Sequence, residues 1–169
     1  MAIFGLQNLE QMRKVQWSAK YLWDIQFIPG PSGFSDWFPA TDVAENLWTL
    51  ETHPIEAGFS TYEVPKSTTL ANLQVTFVDS VHLAVETWLD EWVNNEILRK
   101  GSGVSSLEAS VKQVNIMKWT GTREPVSLNS YWVFPKGAYM WEGASSAEPV
   151  GGQVEFIIAR TIEKKNFKL

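Results

Sequence analysis

The sequence predicts a mainly β domain with one long α-helix: an antiparallel β-barrel or sandwich plugged or capped by that helix. Period-two alternation is the first sign. It is clearest at residues 72–79 (NLQVTFVD), where Leu73, Val75 and Phe77 point one way and Asn72, Gln74 and Thr76 the other. A single stretch, residues 81–100, has helical spacing instead. Pro and Gly clusters at 29–33, 57–58, 101–103, 135–137 and 149–152 punctuate the rest as turns, and no linker divides the chain.

Residues 1–18 read as an N-terminal arm or short helix carrying Leu6, Leu9 and Met12, and residues 19–169 as a single domain. The first strand spans 20–28, with Tyr21, Trp23, Ile25 and Phe27 alternating against Lys20, Leu22, Asp24 and Gln26, and Pro29-Gly30 ends it. Runs at 46–56 and 59–65 form a hairpin around Ala57-Gly58; this turn is not of the Asn-Gly type, so its register stays open. After the strand at 72–79, Asp79 or Ser80 supplies an N-cap oxygen to the helix. Val81, Val85, Trp88, Leu89 and Trp92 make its buried stripe, with Ile97 close by, and a sheet is the natural surface to receive the two indoles. Glu86, Asp90, Glu91 and Asn94 take the wet face; Arg99 and Lys100 meet the negative end of the helix dipole, and Gly101 stops it. A polar loop covers 101–110. Strands follow at 111–119, 126–134 and 153–162, where Val154, Phe156 and Ile158 share one face, for six or seven strands in all.

Composition narrows the function. The chain has 169 residues, 44% hydrophobic and 20% charged, enough for one domain with a real core. No apolar run approaches the ~20 residues of a membrane span, and residues 1–14 lack the apolar core of a signal peptide. Zero Cys removes disulfides, thiolate nucleophiles and Cys-based metal sites together. The formal net charge of −5 disfavours tight binding to a phosphate backbone. His53 and His82 lack the spacing of a metal pair, and there is no Gly-x-Ser-x-Gly nucleophile turn or phosphate loop. No cofactor, metal or catalytic residue is expected. Asp90-Glu91 reads as a solvated helix face. Glu51 and Glu63, one in each arm of the hairpin, read as a polar sheet face, with an acid/base pair as the other reading. Nine Trp is a high count; Trp37, Trp119, Trp132 and Trp141 lie near strand ends or loops, where they can bury against a neighbouring subunit.

Three stretches, in order, carry a resemblance. The first is Tyr21-Leu-Trp-Asp-Ile-Gln-Phe-Ile-Pro-Gly30 followed by a crossing segment, Trp37-Phe-Pro-Ala-Thr-Asp-Val43. The second is a hairpin arriving at Tyr62-Glu-Val-Pro65, the strand Leu73-Gln-Val-Thr-Phe-Val-Asp79, and a helix with Thr87-Trp-Leu-Asp-Glu-Trp92. The third is Tyr131-Trp-Val-Phe-Pro-Lys-Gly137, leading through Trp141 to Val154-Glu-Phe-Ile-Ile158. Over about residues 19–163 this order is similar to the tail tube proteins of contractile-tailed bacteriophages, whose fold is shared by the type VI secretion tube protein.

The resemblance implies a structural virion protein and not an enzyme. Six copies would complete their sheets edge to edge in a ring, and rings would stack into the inner tube of a contractile tail, the conduit for DNA ejection. Closure removes strand edges that otherwise invite aggregation. The partners implied are further copies of the chain, a sheath protein outside, a tape-measure protein and then DNA in the lumen without tight binding, and baseplate and tail-terminator proteins at the ends, with no membrane. The location implied is the virion tail, and the host cytoplasm during assembly. Trp48, Glu56, Ala57, Gly58, Phe59 and Tyr62 are then candidates for contact between subunits or rings, Glu51 and Glu63 for the lumen, and Val85, Trp88, Leu89 and Trp92 for the helix core face. Lys112 and Lys118 are expected away from the lumen, because a like-charged or neutral wall does not grip DNA. A baseplate tube initiator of the same fold is the nearest alternative; a Trp-rich β-module binding carbohydrate or peptide is the alternative of another class.

Overall fold

The structure, a computed structural model, describes residues 22–46, 48–69, 71–99, 103–142 and 151–167. In chain order its elements are β1 (Trp23–Ile28), β2 (Ala40–Asn46), β3 (Thr49–Ala57), β4 (Ser60–Thr69), β5 (Asn72–Val78), α1 (Ala84–Glu91) with a π-helical continuation (Trp92–Ile97), β6 (Leu98–Arg99), β7 (Gly103–Val104), α2 (Leu107–Ser110), β8 (Lys112–Trp119), β9 (Pro125–Glu142) and β10 (Gly151–Asn166). Six strands form one antiparallel sheet in the order β1-β8-β9-β10-β5-β2, while β3-β4 and β6-β7 stand as separate two-stranded pairs.

Alternation places the core where the pattern predicts. Leu73, Val75 and Phe77 are fully buried on one face of β5, and Val154, Phe156 and Ile158 join them from β10. Ile25 and Phe27 of β1 lie opposite Ile116 and Val114 of β8 on the same face. The sheet curls back on itself. The Phe38 amide donates to the Ile25 carbonyl at 2.8 Å and the Val78 amide to the Pro39 carbonyl at 3.0 Å, so the segment before β2 is bonded to both β1 and β5. The result is a half-barrel, closed over an aromatic interior in which Phe27 meets Phe38, Trp88 and Phe156 at ring separations of 4.8, 5.3 and 5.2 Å.

The helix plugs that interior with the expected face: Val85, Trp88, Leu89 and Trp92 are all buried. Asp79 caps it, its two carboxylate oxygens accepting the amides of Val85 at 3.0 Å and Glu86 at 2.8 Å, donors that the first helical turn leaves free. The expected extent of 81–100 is too long. Val81 is 97% exposed and precedes the helix, so it is no part of the buried stripe. The α-helix closes at Glu91, and the widened turn after it ends at Ile97. Ser105 stops it there, donating its amide to the Ile97 carbonyl at 2.8 Å and its hydroxyl to the Glu96 carbonyl at 2.6 Å. Arg99 therefore sits in β6, and Lys100 and Gly101 lie outside the described residues. Lys112, only 4% exposed, fills the space under the wide turn: its ammonium lies 2.7 Å from Glu96 and 5.2 Å from the centre of the Trp92 ring.

Other differences have local causes. The crossing segment contains a strand, β2, whose sequence ATDVAEN has little β propensity; it is held by its ladder to β5. The presumed turn at 135–137 is a bulge inside the long β9, opposite Val154, with Gly137 at φ +79° supplying the left-handed kink. Gly151 and Gly152 open β10 rather than forming a turn, and the polar loop contains α2. The expected arm at 1–18 and residues 20–21 of the first strand lie outside the described residues.

Trp92 donates its indole N–H to the buried Ser110 carbonyl at 2.9 Å, whereas Trp88 Nε1 has no acceptor among the described residues. Truncating either ring leaves a cavity, costing about 3–5 kcal/mol. Trp92→Ala also orphans a buried carbonyl, a further penalty of about 1–3 kcal/mol. Denaturant titration is therefore expected to rank Trp92→Ala below Trp88→Ala, and both well below the parent chain.

Candidate functional site

The surfaces that stand out are those the fold leaves unfinished. β3 and β4 extend beyond the β2–β5 pair as a hairpin whose strands, among the described residues, pair only with each other. Nine residues at about 3.4 Å each make an arm of about 30 Å. Its tip is a two-residue turn, with Ala57 opposite Ser60 and Gly58 at φ +66° followed by Phe59 at negative φ, the φ pattern of a type II′ hairpin.

The register, unreadable from sequence, sorts the arm into two faces. Ile55 lies opposite Tyr62 and His53 opposite Val64, giving an apolar face; Glu56 lies opposite Thr61 and Pro54 opposite Glu63, giving a polar one. A bulge between Glu51 and Thr52 shifts the base of the arm, where Glu51 accepts a hydrogen bond from Ser67 at 2.9 Å while Glu63 accepts one from Thr52 at 3.1 Å. By strand alternation Glu51 falls with His53 and Ile55, and Glu63 with Thr52 and Pro54, so the two carboxylates point to opposite sides. The predicted contact residues all sit in the open: Trp48 is 70% exposed, Tyr62 59%, Phe59 wholly, and Glu56, Ala57 and Gly58 lie around the tip. Ile55 and Val64, which complete the apolar face, were not singled out by sequence, because only the pairing shows that they share a side with Tyr62.

The second unfinished feature is the seam of the half-barrel. β1 and β2 are the two edges of the main sheet and do not pair with each other. Between them runs a cleft of about 550 Å³ lined by Trp23, Trp37, Phe38, Asp24 and Asp42 among others. Trp37 is half exposed and packs edge-on against Phe34 at 5.3 Å. Trp119 is tied to β1 through its indole N–H to Asp24 at 2.7 Å; Trp132 is half-buried, and the Trp141 side chain lies outside the described residues.

The sheet face turned away from the core carries an uncharged polar ladder. Asn115 bridges Gln26 at 3.4 Å, Gln113 at 2.9 Å and Ser130 at 2.8 Å. Lys112 and Lys118 both turn the other way, into the core side. Lys118 pairs with Glu45 at 2.9 Å, and Asn129 and Tyr131 donate to the same carboxylate at 3.0 and 3.1 Å. Burial alone would raise the Glu45 pKa; the three hydrogen bonds and the Lys118 charge outweigh it and hold the group below the usual carboxylate range. The same contact, with burial as the larger cause, pushes the Tyr131 phenol well up. This cluster clamps β2, the root of the hairpin, onto β8 and β9.

Elsewhere, a groove of about 410 Å³ lies between α1 and the β9 bulge, lined by Leu83, Glu86, Asp90, Val93 and Tyr139. Burial and the nearby Glu86 and Asp79 raise the Tyr139 pKa. Asp90 and Glu91 are exposed, as are His53, within β3, and His82, in the turn before α1. Among the described residues no three His, Asp or Glu side chains group as a metal site.

A depressed carboxylate stabilises the fold above its unfolded-state pKa and loses that contribution as pH falls through the depressed value. Thermal unfolding of the parent chain is therefore expected to weaken with acid over that window. Glu45→Gln is expected to start lower at neutral pH and to converge on the parent as pH falls; a constant difference between the two would remove Glu45 from the acid response.

No family model and no curated protein sequence matches the chain. Solved structures do. A chain of the sheath–tube complex of an extracellular contractile injection system (PVC) in its extended state aligns with a TM-score of 0.62 at 14% identity, over 94% of this chain and 97% of that one. The anti-feeding prophage tube-terminating cap aligns at 0.63 and 14%, over 90% and 94%. The anti-feeding prophage baseplate aligns at 0.56 and 12%, over 89% and 95%. At these identities the likeness is one of fold, and the half-barrel with its helical plug is the contractile tail tube-like fold.

Proposed function

We propose that this protein is a structural, non-enzymatic subunit of a contractile tail, and that it polymerises as stacked hexameric rings into the inner tube. The observation that carries the reading is the hairpin: an arm of about 30 Å, with an apolar face and two backbone edges unpaired among the described residues, stands apart from the buried core. The structural neighbours, components of a sheath–tube complex, a tube cap and a baseplate, support a tail-particle role.

In this reading the β1–β2 seam and the hairpin are covered by neighbouring copies. Trp48, Phe59 and Tyr62, with Ile55, bury against the next subunit or ring, and the tip residues Glu56, Ala57 and Gly58 set how far the arm reaches. The Gln26–Asn115–Ser130 face lines the lumen, and the carboxylates of the arm, Glu51 and Glu63, face adjoining copies. Such a wall is neutral, so a tape-measure protein and then DNA pass without being held. The exposed acidic side of α1 looks outward to a sheath, and the ends of the tube meet baseplate and terminator proteins. The particle assembles in the host cytoplasm and works as part of the virion tail.

The likeness to a tube-terminating cap supports a second reading, a ring that starts or ends the tube. Negative-stain microscopy of the concentrated protein separates the readings: rods for a tube subunit, single rings for a cap or initiator, and a persistent monomer against both. Ile55→Ser/Phe59→Ser/Tyr62→Ser alters only exposed positions and is expected to leave monomer stability within about 0.5 kcal/mol while abolishing rods.

A further inference from the structure

β10 is paired unequally on its two sides. Against β9 its ladder runs to Asn166, opposite Ser127. Against β5 it stops at Ile157, opposite Asn72, with one more bond from the Ile158 amide to the Ala71 carbonyl at 2.9 Å. From 159 to 166 the strand therefore presents a backbone edge with no partner among the described residues. In that stretch, ARTIEKKN, every residue after the half-buried Ala159 is exposed, including Ile162, a large apolar side chain at 43% exposure.

Its charge is opposite to that of the hairpin. Residues 159–166 hold Arg160, Lys164 and Lys165 against Glu163 alone; β3 and β4 hold Glu51, Glu56 and Glu63 against Lys66 alone. Neither set is neutralised within one copy. Lys164 lies over the Tyr131 ring at 5.8 Å and Lys165 over Phe167 at 5.1 Å, and none of the three cations of the strip is in an ion pair among the described residues. The hairpin carboxylates find only hydroxyls or solvent. The two free edges also match in length, eight residues on β10 and nine on β3.

We infer that the β10 edge at 159–166 is the receptor for the hairpin of a second copy, with Arg160, Lys164 and Lys165 of one subunit facing Glu51, Glu56 and Glu63 of the next. This rests on the self-assembly proposed above and names the surface that receives the arm. Backbone pairing supplies the attachment and Ile162 meets the apolar face of the arm. The lysines and the bulges at 158–160 and 161–163 keep the edge from pairing with unrelated strands, while an acidic strand is admitted.

Charge reversal and its repair test this. Lys164→Glu/Lys165→Glu is expected to raise the concentration needed for rods or rings at least about tenfold, because acidic arm then meets acidic edge. Glu56→Lys/Glu63→Lys is expected to do the same from the other side. The four changes combined restore opposite signs and are expected to recover assembly at 0.1 M salt. Circular dichroism and thermal melting check that each variant folds as the parent does. A parent chain that never assembles overturns the self-assembly reading itself. Normal assembly of the Lys164/Lys165 variant, or a combined variant no better than either half, overturns only the pairing of these two surfaces. So does a strip that proves to hold DNA, read as loss of labelled-DNA retention in the Lys164/Lys165 variant with its assembly intact.

Discussion

A β-strand at the border of a sheet carries a row of peptide groups that must find partners, and this constraint organises the molecule. The half-barrel satisfies most of its backbone internally. Among the described residues it leaves open the β1 and β2 borders, both edges of the hairpin, and one side of β10 beyond Ile158. The β1–β2 opening reaches the aromatic interior at Phe38, and Trp88 and Trp92 fill that interior from the helix. Elsewhere folding and the proposed assembly use separate parts of one chain. The core is built within a single copy, while the open edges offer a second set of backbone bonds, which the proposed assembly would fill from other copies.

The placement of charge follows the same division. Lys112 and Lys118 are spent within the fold, one under the wide helical turn against Glu96, the other in the Glu45 cluster. On the opposite face, β1, β8 and β9 carry a ladder of amides and hydroxyls, Gln26, Gln113, Asn115 and Ser130. A polar, uncharged ladder offers hydrogen bonds that water satisfies as readily as any passenger, so it is a surface of low adhesion. Exposed strands with unbalanced charge lie at the periphery instead, acidic on the hairpin and basic at the end of β10. In the proposed assembly, attraction between unlike strips and repulsion between like ones would select a head-to-tail contact over a symmetric one, the condition for a stack that can continue.

How far the sequence disclosed this depended on whether the deciding term was local. Strands with a buried face were legible, since alternation at Leu73, Val75 and Phe77 or at Val154, Phe156 and Ile158 leaves the core only one side to occupy. The helix core face was legible for the same reason. Its ends were not: Asp79 caps from outside the helix, and Ser105, eight residues past Ile97, closes the far end, so neither boundary lies in the helical sequence itself. β2 was missed because its pairing partner, not its own residues, makes it a strand. At the candidate assembly surface the exposed residues of the hairpin were found, but not their faces. Sorting Ile55 with Tyr62, and Glu51 away from Glu63, needs the cross-strand register, which the Gly58-Phe59 turn sets. The free edge of β10 left no trace in the sequence at all, because it is defined by where a neighbouring strand ends.

The Glu45 cluster joins the two halves of the design. The carboxylate sits on β2, a border strand of the sheet, and its three donors come from β8 and β9 across the curl. It holds β2 at a fixed angle, and the hairpin continues directly from β2. A lever about 30 Å long amplifies small rotations at its base: a tilt of roughly 10° there moves the tip about 5 Å, more than the spacing between paired strands. An arm that must meet a second copy in register therefore needs a rigid root. A buried, fully hydrogen-bonded carboxylate is a directional way to provide one, because leaving any of its partners unmatched is costly. Hydrophobic contact alone would hold β2 in place without fixing its angle, since apolar packing is non-directional.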